Sequence, residues 1–185
     1  SARESLGETL CDVWRAARMG DLGLVRSYLD RKGDPNAPCP VTGEHILSYA
    51  CGELKMREAE KQKREGPRRT ILELLISAGA DVNLTSGWKR MNALQRACRL
   101  NWVSAVQLLA PVSDLELKDC REGETALMMA ARYGHLETVK LLLSANANPN
   151  SSDLMGKTPL EKARRYGWTE VGHCLELVWS KGVKD

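Results

Sequence analysis

The sequence predicts an all-α solenoid built from about five helix-turn-helix repeats. Apolar residues recur at helical spacing in short segments, and in the clearest pair of segments a glycine lies between them. The same arrangement returns every 33 residues. Two short helices joined by a tight turn cannot bury their apolar faces alone, so the copies are expected to stack on one another.

The clearest copy begins at Gly123. Its first segment is amphipathic and ends at Gly134, and its second segment, from Leu136 to Leu143, is apolar at helical spacing. Five residues of this copy, Gly123, Thr125, Leu127, Ala130 and Gly134, recur 33 positions later as Gly156, Thr158, Leu160, Ala163 and Gly167. Earlier copies keep the small residues and the Val-x-x-Leu pattern, at Ala16, Ala17, Val25, Leu29, Ala97, Val106 and Leu109.

This 33-residue period resembles the ankyrin repeat, which combines Thr-Pro-Leu, small residues, a Gly, a Val-x-x-Leu-Leu run and a closing Asp-x-Asn. The most specific match lies between Asp153 and Leu160 and contains Thr158-Pro159-Leu160. The resemblance covers nearly the whole chain. It implies one domain with repeats at about 9–36, 37–83, 84–116, 117–149 and 150–180.

The first two repeats depart from the pattern. Repeat one lacks Thr-Pro-Leu, as expected of an N-terminal cap with one face in water. Repeat two contains a charged insertion at about 53–66, and its residues favour helix. We therefore expect the first helix of repeat two to continue into solvent, or the insertion to form a loop. Gly66-Pro67 is then expected to restart the chain, with Pro67 in the first turn of the second helix.

The later repeats are more regular. In repeat three, Pro111 is expected to end the second helix early. Repeat four is the near-ideal copy. Repeat five begins well at Asp153 and then departs, because Arg164 replaces the second small residue and 172–174 replace the Val-x-x-Leu-Leu run. That departure suits a C-terminal cap.

Composition narrows the class of protein. A net charge of +3 is too small to imply nucleic-acid binding by itself, and the uncharged stretches are too short to span a membrane. None of the six cysteines forms a Cys-x-x-Cys pair, and Cys51 and Cys98 occupy buried small-residue positions. We therefore expect free thiols and a cytoplasmic or nuclear location. The chain begins at Ser1 without a Met, and we expect it to be a piece of a larger protein.

The three histidines do not suggest catalysis. His45 and His135 occupy repeat positions that bond or cap within the repeat, and His173 points about 100° away from its neighbour Cys174 on a helix. The sequence contains no phosphate-binding loop, nucleophile elbow or zinc-ligand spacing. It therefore predicts no enzyme and no catalytic, cofactor-binding or metal-binding residues.

The resemblance implies a binding surface made by the turns between repeats, here called fingers, and by the exposed side of each first helix. Four repeats place an arginine at the same exposed position, Arg18, Arg99, Arg132 and Arg165, beside Met19, Leu100, Tyr133 and Tyr166. Arginine forms bidentate bonds with carboxylates, and tyrosine provides contact area. We therefore expect a monomer that binds an extended or partly acidic peptide segment of another protein. The predicted partner-binding residues are Trp88, Lys89, Met91, Arg99, Leu100, Arg121, Glu122, Glu124, Arg132, Tyr133, Leu154, Met155, Lys157, Arg165 and Tyr166.

Other interpretations stay open. Arginine is also common at this repeat position, where it only solvates the helix, and Trp88 could fold back over its own turn. A basic cluster could instead bind nucleic acid or phosphate together with the arginines, although we do not expect a nucleic-acid ligand; it comprises Lys61, Lys63, Arg64, Arg68 and Arg69. The repeats could also act as a spacer without a ligand. Trp14, Trp102 and Trp168 are expected to pack in the core or at its rim.

Overall fold

The computed structural model describes residues 12–52 and 58–182, and these residues form helices and turns with two isolated β-bridges. The all-α prediction is confirmed. The α-helices are α1 (12–19), α2 (Leu22–Asp30), α3 (Ile46–Ala50), α4 (Glu58–Ser77), α5 (Ala93–Arg99), α6 (Val103–Leu109), α7 (Ala126–Tyr133), α8 (Leu136–Ser144), α9 (Pro159–Arg165) and α10 (Thr169–Gly182).

A division between Ala93 and Leu94 separates the chain into two compact units, here called unit 1 and unit 2. Unit 1 contains α1 to α4, and unit 2 contains α6 to α10 with nearly all of α5. None of the helices that the structure describes combines the length and the apolar character needed to cross a bilayer.

The core of unit 1 comes from all four of its helices. Its buried apolar residues include Trp14, Ala17, Val25, Ile46, Ile71, Leu72 and Leu75. The indole of Trp14 meets the ring of Tyr28 edge to face, with the two centroids 6.0 Å apart. Trp14 thus lies in the core, as predicted.

Helix α4 corrects the expectations about the insertion. The first helix of repeat two does not run on, because α3 ends at Ala50. The second helix is continuous from Glu58 to Ser77, with Pro67 in its interior, so the prediction that Gly66-Pro67 restarts the chain is wrong. The alternative expectation of a loop falls partly on residues 53–57, which lie outside the described residues.

Contacts on both sides of Pro67 explain why α4 continues although proline lacks the N–H that the helix needs there. Arg64 Nη1 donates to Met19 O over 2.6 Å, and Arg68 donates to carbonyls at the end of α3. Gly20, at φ +83°, lets the turn after α1 approach closely: a Cβ there would lie 3.2 Å from Cβ of Pro67. Contacts distant in sequence therefore outweigh the local signal for a break.

In unit 2 the helices begin and end where the repeat pattern predicts. The hydroxyls of Thr125 and Thr158 accept hydrogen bonds from the first turns of α7 and α9. Thr158 and Glu161 also bond reciprocally and complete a capping box. Gly134 ends α7 in the left-handed conformation at φ +76°, which a glycine adopts without steric cost.

The core of unit 2 is aliphatic. Its fully buried side chains include Leu94, Leu109, Leu127, Met128, Met129, Leu142 and Leu175. Helix α6 ends at Leu109 and a 3-10 turn follows over Ala110–Val112, which confirms the early end predicted from Pro111. In the C-terminal repeat, Arg164 Nη2 donates to Glu176 Oε1 of α10 over 2.7 Å.

Candidate functional site

Two fingers of unit 2 are each closed by an aspartate. In finger four, residues 119–124, Asp119 Oδ1 accepts the backbone N–H groups of Glu122 and Glu124 at 3.1 and 2.9 Å. In finger five, residues 153–157, Asp153 Oδ1 accepts those of Met155 and Lys157, both at 2.8 Å. Each side chain supplies acceptors that the tight turn cannot supply from its own backbone.

The two fingers are bonded to each other. The backbone N–H of Leu154 donates to Glu122 O over 3.0 Å. The side chain of Leu154 packs against Gly123, where a Cβ would lie 2.8 Å from Cγ of Leu154. Gly123 also has φ +69°, so both the contact and the backbone conformation require glycine.

A groove of about 940 Å³ lies between these fingers and α9. It is lined by Arg121, Glu122, Asp153, Leu154, Met155, Lys157, Glu161, Lys162, Arg164, Arg165 and Tyr166. Leu154 and Met155 are 72% and 81% exposed, and the ring of Tyr166 is about half exposed. The groove thus offers apolar side chains to solvent beside a set of charged ones.

Lys162 is buried and joins the two fingers. Its ammonium lies 2.6 Å from Glu124 Oε1 and 2.6 Å from Asp153 Oδ2. Burial alone would lower the pKa of Lys162, but the hydrogen bonds to Asp153 and Glu124 raise it above its usual value. Burial alone would raise the pKa of Asp153, but Lys162 and the finger amides lower it. Lys162 and Asp153 are therefore both charged at neutral pH.

Arg132 continues this ion network. Its Nη1 lies 3.2 Å from Glu124 Oε2 and 2.5 Å from Glu122 Oε2. Burial alone would lower the pKa of Arg132, but the carboxylates of Glu124 and Glu122 raise it. The ion network therefore runs through Glu122, Arg132, Glu124, Lys162 and Asp153, and it ties finger four and finger five to α7 and α9.

Arg132 also lies between two tyrosine rings. Its guanidinium carbon is 5.9 Å from the ring centroid of Tyr133 and 5.7 Å from that of Tyr166. The guanidinium of Arg165 lies 6.0 Å from the ring of Tyr166, and the rings of Tyr133 and His135 stack 5.9 Å apart. Tyr166 thus lies between two guanidinium groups at the edge of the groove, which favours this orientation of its ring.

The exposed charges of the groove are not equivalent. Lys157 pairs with Glu161 at 3.3 Å, and Arg164 pairs with Glu176. Arg165 is exposed, and no carboxylate pairs with it among the residues that the structure describes. Because the acidic side chains of the groove are mostly bonded within the chain, the charge left for a ligand is positive.

Seven of the predicted partner-binding residues line the groove: Arg121, Glu122, Leu154, Met155, Lys157, Arg165 and Tyr166. Arg132 and Tyr133 adjoin it through the contacts to Tyr166. Arg99 and Leu100 lie at the end of α5, where Arg99 O accepts from Nε2 of His135 at 3.3 Å. This bond fits the capping role predicted for His135.

Three further predicted residues, Trp88, Lys89 and Met91, lie in unit 1. Trp88 is 73% exposed in the turn before α5, and the ammonium of Lys89 lies 5.2 Å from its ring centroid. Ser86 and Met91 close this turn by exchanging backbone hydrogen bonds at 3.1 and 3.2 Å. The high exposure shows that Trp88 is not covered by its own turn.

Three predicted contacts need correction. The side chain of Met91 is buried beneath its turn, and Glu124 is buried because it pairs with Lys162 and Arg132. Neither offers the exposed side chain that we expected. Arg132 was expected to pair with an acidic ligand group, but two carboxylates of its own chain already bind it.

Sequence reasoning missed four groove residues, Asp153, Glu161, Lys162 and Arg164. One signal could have found Lys162. It occupies the repeat position of Met129, 33 residues earlier, which is buried in the core. A lysine at a core position requires a buried anion, and the structure shows that Asp153 and Glu124 supply it.

Trp168 and Trp102 occupy the predicted turn positions. Trp102 is buried, whereas Trp168 is partly exposed and donates from Nε1 to Arg132 O over 2.9 Å. The Trp168 ring covers Gly134, where a Cβ would lie 2.4 Å from Cδ2 of the indole. Trp168 thus caps α7 from the next repeat, as His135 caps α5.

Comparison with known proteins agrees with this architecture. The family described as "Ankyrin repeats (3 copies)" matches residues 63–153 and 113–180, which together are well over half of the chain. A relative from Oryza sativa subsp. japonica, "Probable E3 ubiquitin-protein ligase XBOS31", is 29% identical over 136 residues. That match covers 74% of this chain and 28% of the relative, so the chain spans about a quarter of the relative's length. Ankyrin repeats are generally protein–protein interaction modules. The chain belongs to the ankyrin repeat family.

Proposed function

We propose that the chain binds an extended, partly acidic segment of another protein in the groove between finger four, finger five and α9. One observation carries the proposal. Exposed apolar side chains lie in the same groove as Arg165, for which the described residues offer no carboxylate partner, while Glu124 and Asp153 are bonded inside the chain. A segment with apolar and acidic side chains complements this arrangement.

The apolar part of the groove supports the proposal. Leu154 and Met155 project from finger five, and Tyr166 lies at the end of α9. Aromatic and flexible apolar side chains in a concave site are typical anchors of protein interfaces, because they bury much area on binding. The fingers are held by hydrogen bonds before any partner arrives, so little order has to be gained.

Nucleic-acid binding through the basic cluster of α4 is less well supported. Arg64 and Arg68 bind backbone carbonyls of their own unit, and Arg69 pairs with Glu73 at 3.1 Å. These groups would have to give up bonds to reach phosphate. The cytoplasmic or nuclear location and the monomeric state stay predictions.

The rice relative suggests a context for this module. We propose that the chain supplies partner recognition within a longer protein, as one segment among others. We carry over no catalytic activity from the relative, because ankyrin repeats are typically non-enzymatic and the chain matches only 28% of that protein.

The test is selection of binders from a random-peptide display library. We expect enriched peptides that combine acidic and apolar residues. A Met155→Ala/Tyr166→Ala variant should bind them about tenfold more weakly or worse. Val112→Ala is the matched control, since Val112 is also exposed in unit 2 and does not line the groove. Equal loss in both variants, or no loss in either, would contradict the site.

A second arm tests the exposed tryptophan of unit 1. If Trp88 contributes to binding of the same peptides, Trp88→Ala should weaken it, and Leu24→Ala, another exposed apolar residue of unit 1, should not. An oligonucleotide titration completes the experiment. Binding that falls steeply with salt would favour the nucleic-acid alternative, and no binding of either probe would favour a spacer.

A further inference from the structure

Arg132 and Arg165 occupy the same position in successive repeats, yet their surroundings differ. The guanidinium of Arg132 is bound by Glu122 and Glu124 and lies between two tyrosine rings. Its side chain is mostly buried by these contacts. An acidic ligand could reach Arg132 only by displacing carboxylates that the fold already holds in place.

Arg165 has the opposite surroundings. It is exposed, it lines the groove, and it has no carboxylate partner in the described part of the chain. Its guanidinium carbon lies 6.0 Å from the ring centroid of Tyr166. A carboxylate bonded to Arg165 would therefore face a guanidinium whose orientation is restricted by an aromatic ring and whose charge is not yet neutralised.

We propose that Arg165 binds the acidic side chain of the peptide, and that Arg132 is a positioning residue that holds Tyr166 and Glu122 at the edges of the groove without touching the ligand. This inference rests on the proposed function. The repeat pattern assigns the same role to these two arginines, which lie 33 residues apart. The inference gives ligand binding to one and positioning to the other.

The division has a consequence for specificity. Arg165 and Tyr166 are adjacent, so the groove favours a segment in which an acidic residue lies next to an apolar one. The apolar residue would contact Tyr166 and Met155, and the acidic residue would bond with Arg165. A segment with acidic residues alone would leave the apolar surface uncovered and should bind more weakly.

A double-mutant cycle tests this division. One peptide selected from the random library is compared with its analogue, in which the acidic residue is replaced by the corresponding amide. Arg165→Gln should weaken the acidic peptide about tenfold and leave the amide analogue unchanged, which means that the two groups are coupled. Arg132→Lys keeps the positive charge but loses the planar group between the rings. It should weaken both peptides by the same factor.

Each outcome is decisive. The acidic residue of the peptide could instead be coupled to Arg132, or to Arg121 as measured with Arg121→Gln. Either result overturns the inference but leaves the groove as the binding site. Recovery of no peptide, or binding that is insensitive to Tyr166→Ala, overturns the proposed function and the inference with it. Arg132→Met serves as a second variant, with thermal unfolding measured beside binding. If both Arg132 variants weaken the acidic peptide and its amide analogue by different factors, the positioning role of Arg132 is also overturned.

Discussion

Among the residues whose burial the structure describes, each unit buries one cation, and the two cations are stabilised in different ways. In unit 1, Arg68 is 7% exposed and donates to Ala50 O at 2.6 and 3.2 Å and to Gly52 O at 2.8 Å. In unit 2, Lys162 is also 7% exposed, and it binds two carboxylates. Arg68 thus uses backbone dipoles and Lys162 uses full charges.

The difference follows from what each cation has to hold together. The carbonyls at the end of α3 lack helical partners, and a cation at a helix C-terminus is favourable. A planar guanidinium with several N–H groups can bond to more than one of them. Each of the two fingers of unit 2 supplies one buried carboxylate, Glu124 or Asp153, so a single compact ammonium can join them. The cation of unit 1 therefore stabilises a helix end, and the cation of unit 2 joins two fingers beside the groove.

The largest effect is expected for Lys162→Met. The substitution leaves the carboxylates of Glu124 and Asp153 without their ammonium partner in a buried site. Breaking a buried ion pair on one side costs about 3 to 5 kcal/mol of unfolding free energy. Urea denaturation of the two proteins measures the difference. Lys157→Met is the control, because Lys157 forms an exposed pair with Glu161 and should change stability by less than about 1 kcal/mol. A cost as small as the control's would mean that the ion network does not hold the fingers.

Arg68→Met is expected to cost somewhat less, about 3 kcal/mol, because it removes charge-assisted hydrogen bonds but leaves no buried ion behind. The methionine keeps most of the apolar stem. Arg69→Met is the matched control, since Arg69 is exposed and pairs only with Glu73. Hydrogen exchange should place the loss of protection in α3 and α4. If the amides of α3 keep their protection, the capping role assigned to Arg68 is wrong.

These two residues also mark what the sequence could reveal. The helix-turn-helix repeats follow from local signals, such as Thr158 and Glu161 at the start of α9 and Gly134 at the end of α7. The continuity of α4 through Pro67 does not, because it depends on bonds that Arg64 and Arg68 make to residues far away in sequence. Local propensity is a weak prior where such contacts exist.

The residues of the candidate groove could likewise be predicted only where a local signal identifies them. A repeat register identifies which positions are exposed, and it placed Leu154, Met155, Arg165 and Tyr166 on one surface. It cannot show that Arg132 and Arg165 have different partners, because Glu122 and Glu124 reach Arg132 only through the fold of finger four. Pairing of charges is a property of the folded structure.

The units should also respond differently to acid. The pKa of Asp153 is lowered below its ordinary 3.8, so its stabilisation is fully present above pH 3.8 and is lost as the pH falls through the folded value. The pKa of Lys162 is raised above 10.5, so its contribution is lost only as the pH rises beyond that. Between these limits Asp153 and Lys162 are both charged and their ion pair is intact.

We therefore expect hydrogen-exchange protection in α9 to fall at acid pH in wild type by more than it falls in Lys162→Met, where the linkage is already removed. The loss is smaller than that of the substitution itself, because a protonated carboxyl can still accept hydrogen bonds. The amides of α3 gain no such dependence from Arg68, whose carbonyl partners do not titrate. If protection in α9 falls by the same amount in wild type and in Lys162→Met, the acid response does not come from the ion network.

The smallest change in stability is expected at the end of α7 in unit 2, where the neutral ring of Trp168 caps the helix. Trp168 Nε1 donates to Arg132 O, whereas in unit 1 a bond to Met19 O, at the end of α1, comes from the charged group of Arg64. Trp168→Phe keeps a ring over Gly134 and removes only the N–H, so it should cost about 1 kcal/mol, and Arg64→Met about twice as much. Trp168→Ala separates the two contributions in urea denaturation, because it also uncovers Gly134. If Trp168→Phe costs as much as Trp168→Ala, the hydrogen bond and not the ring contact holds this position.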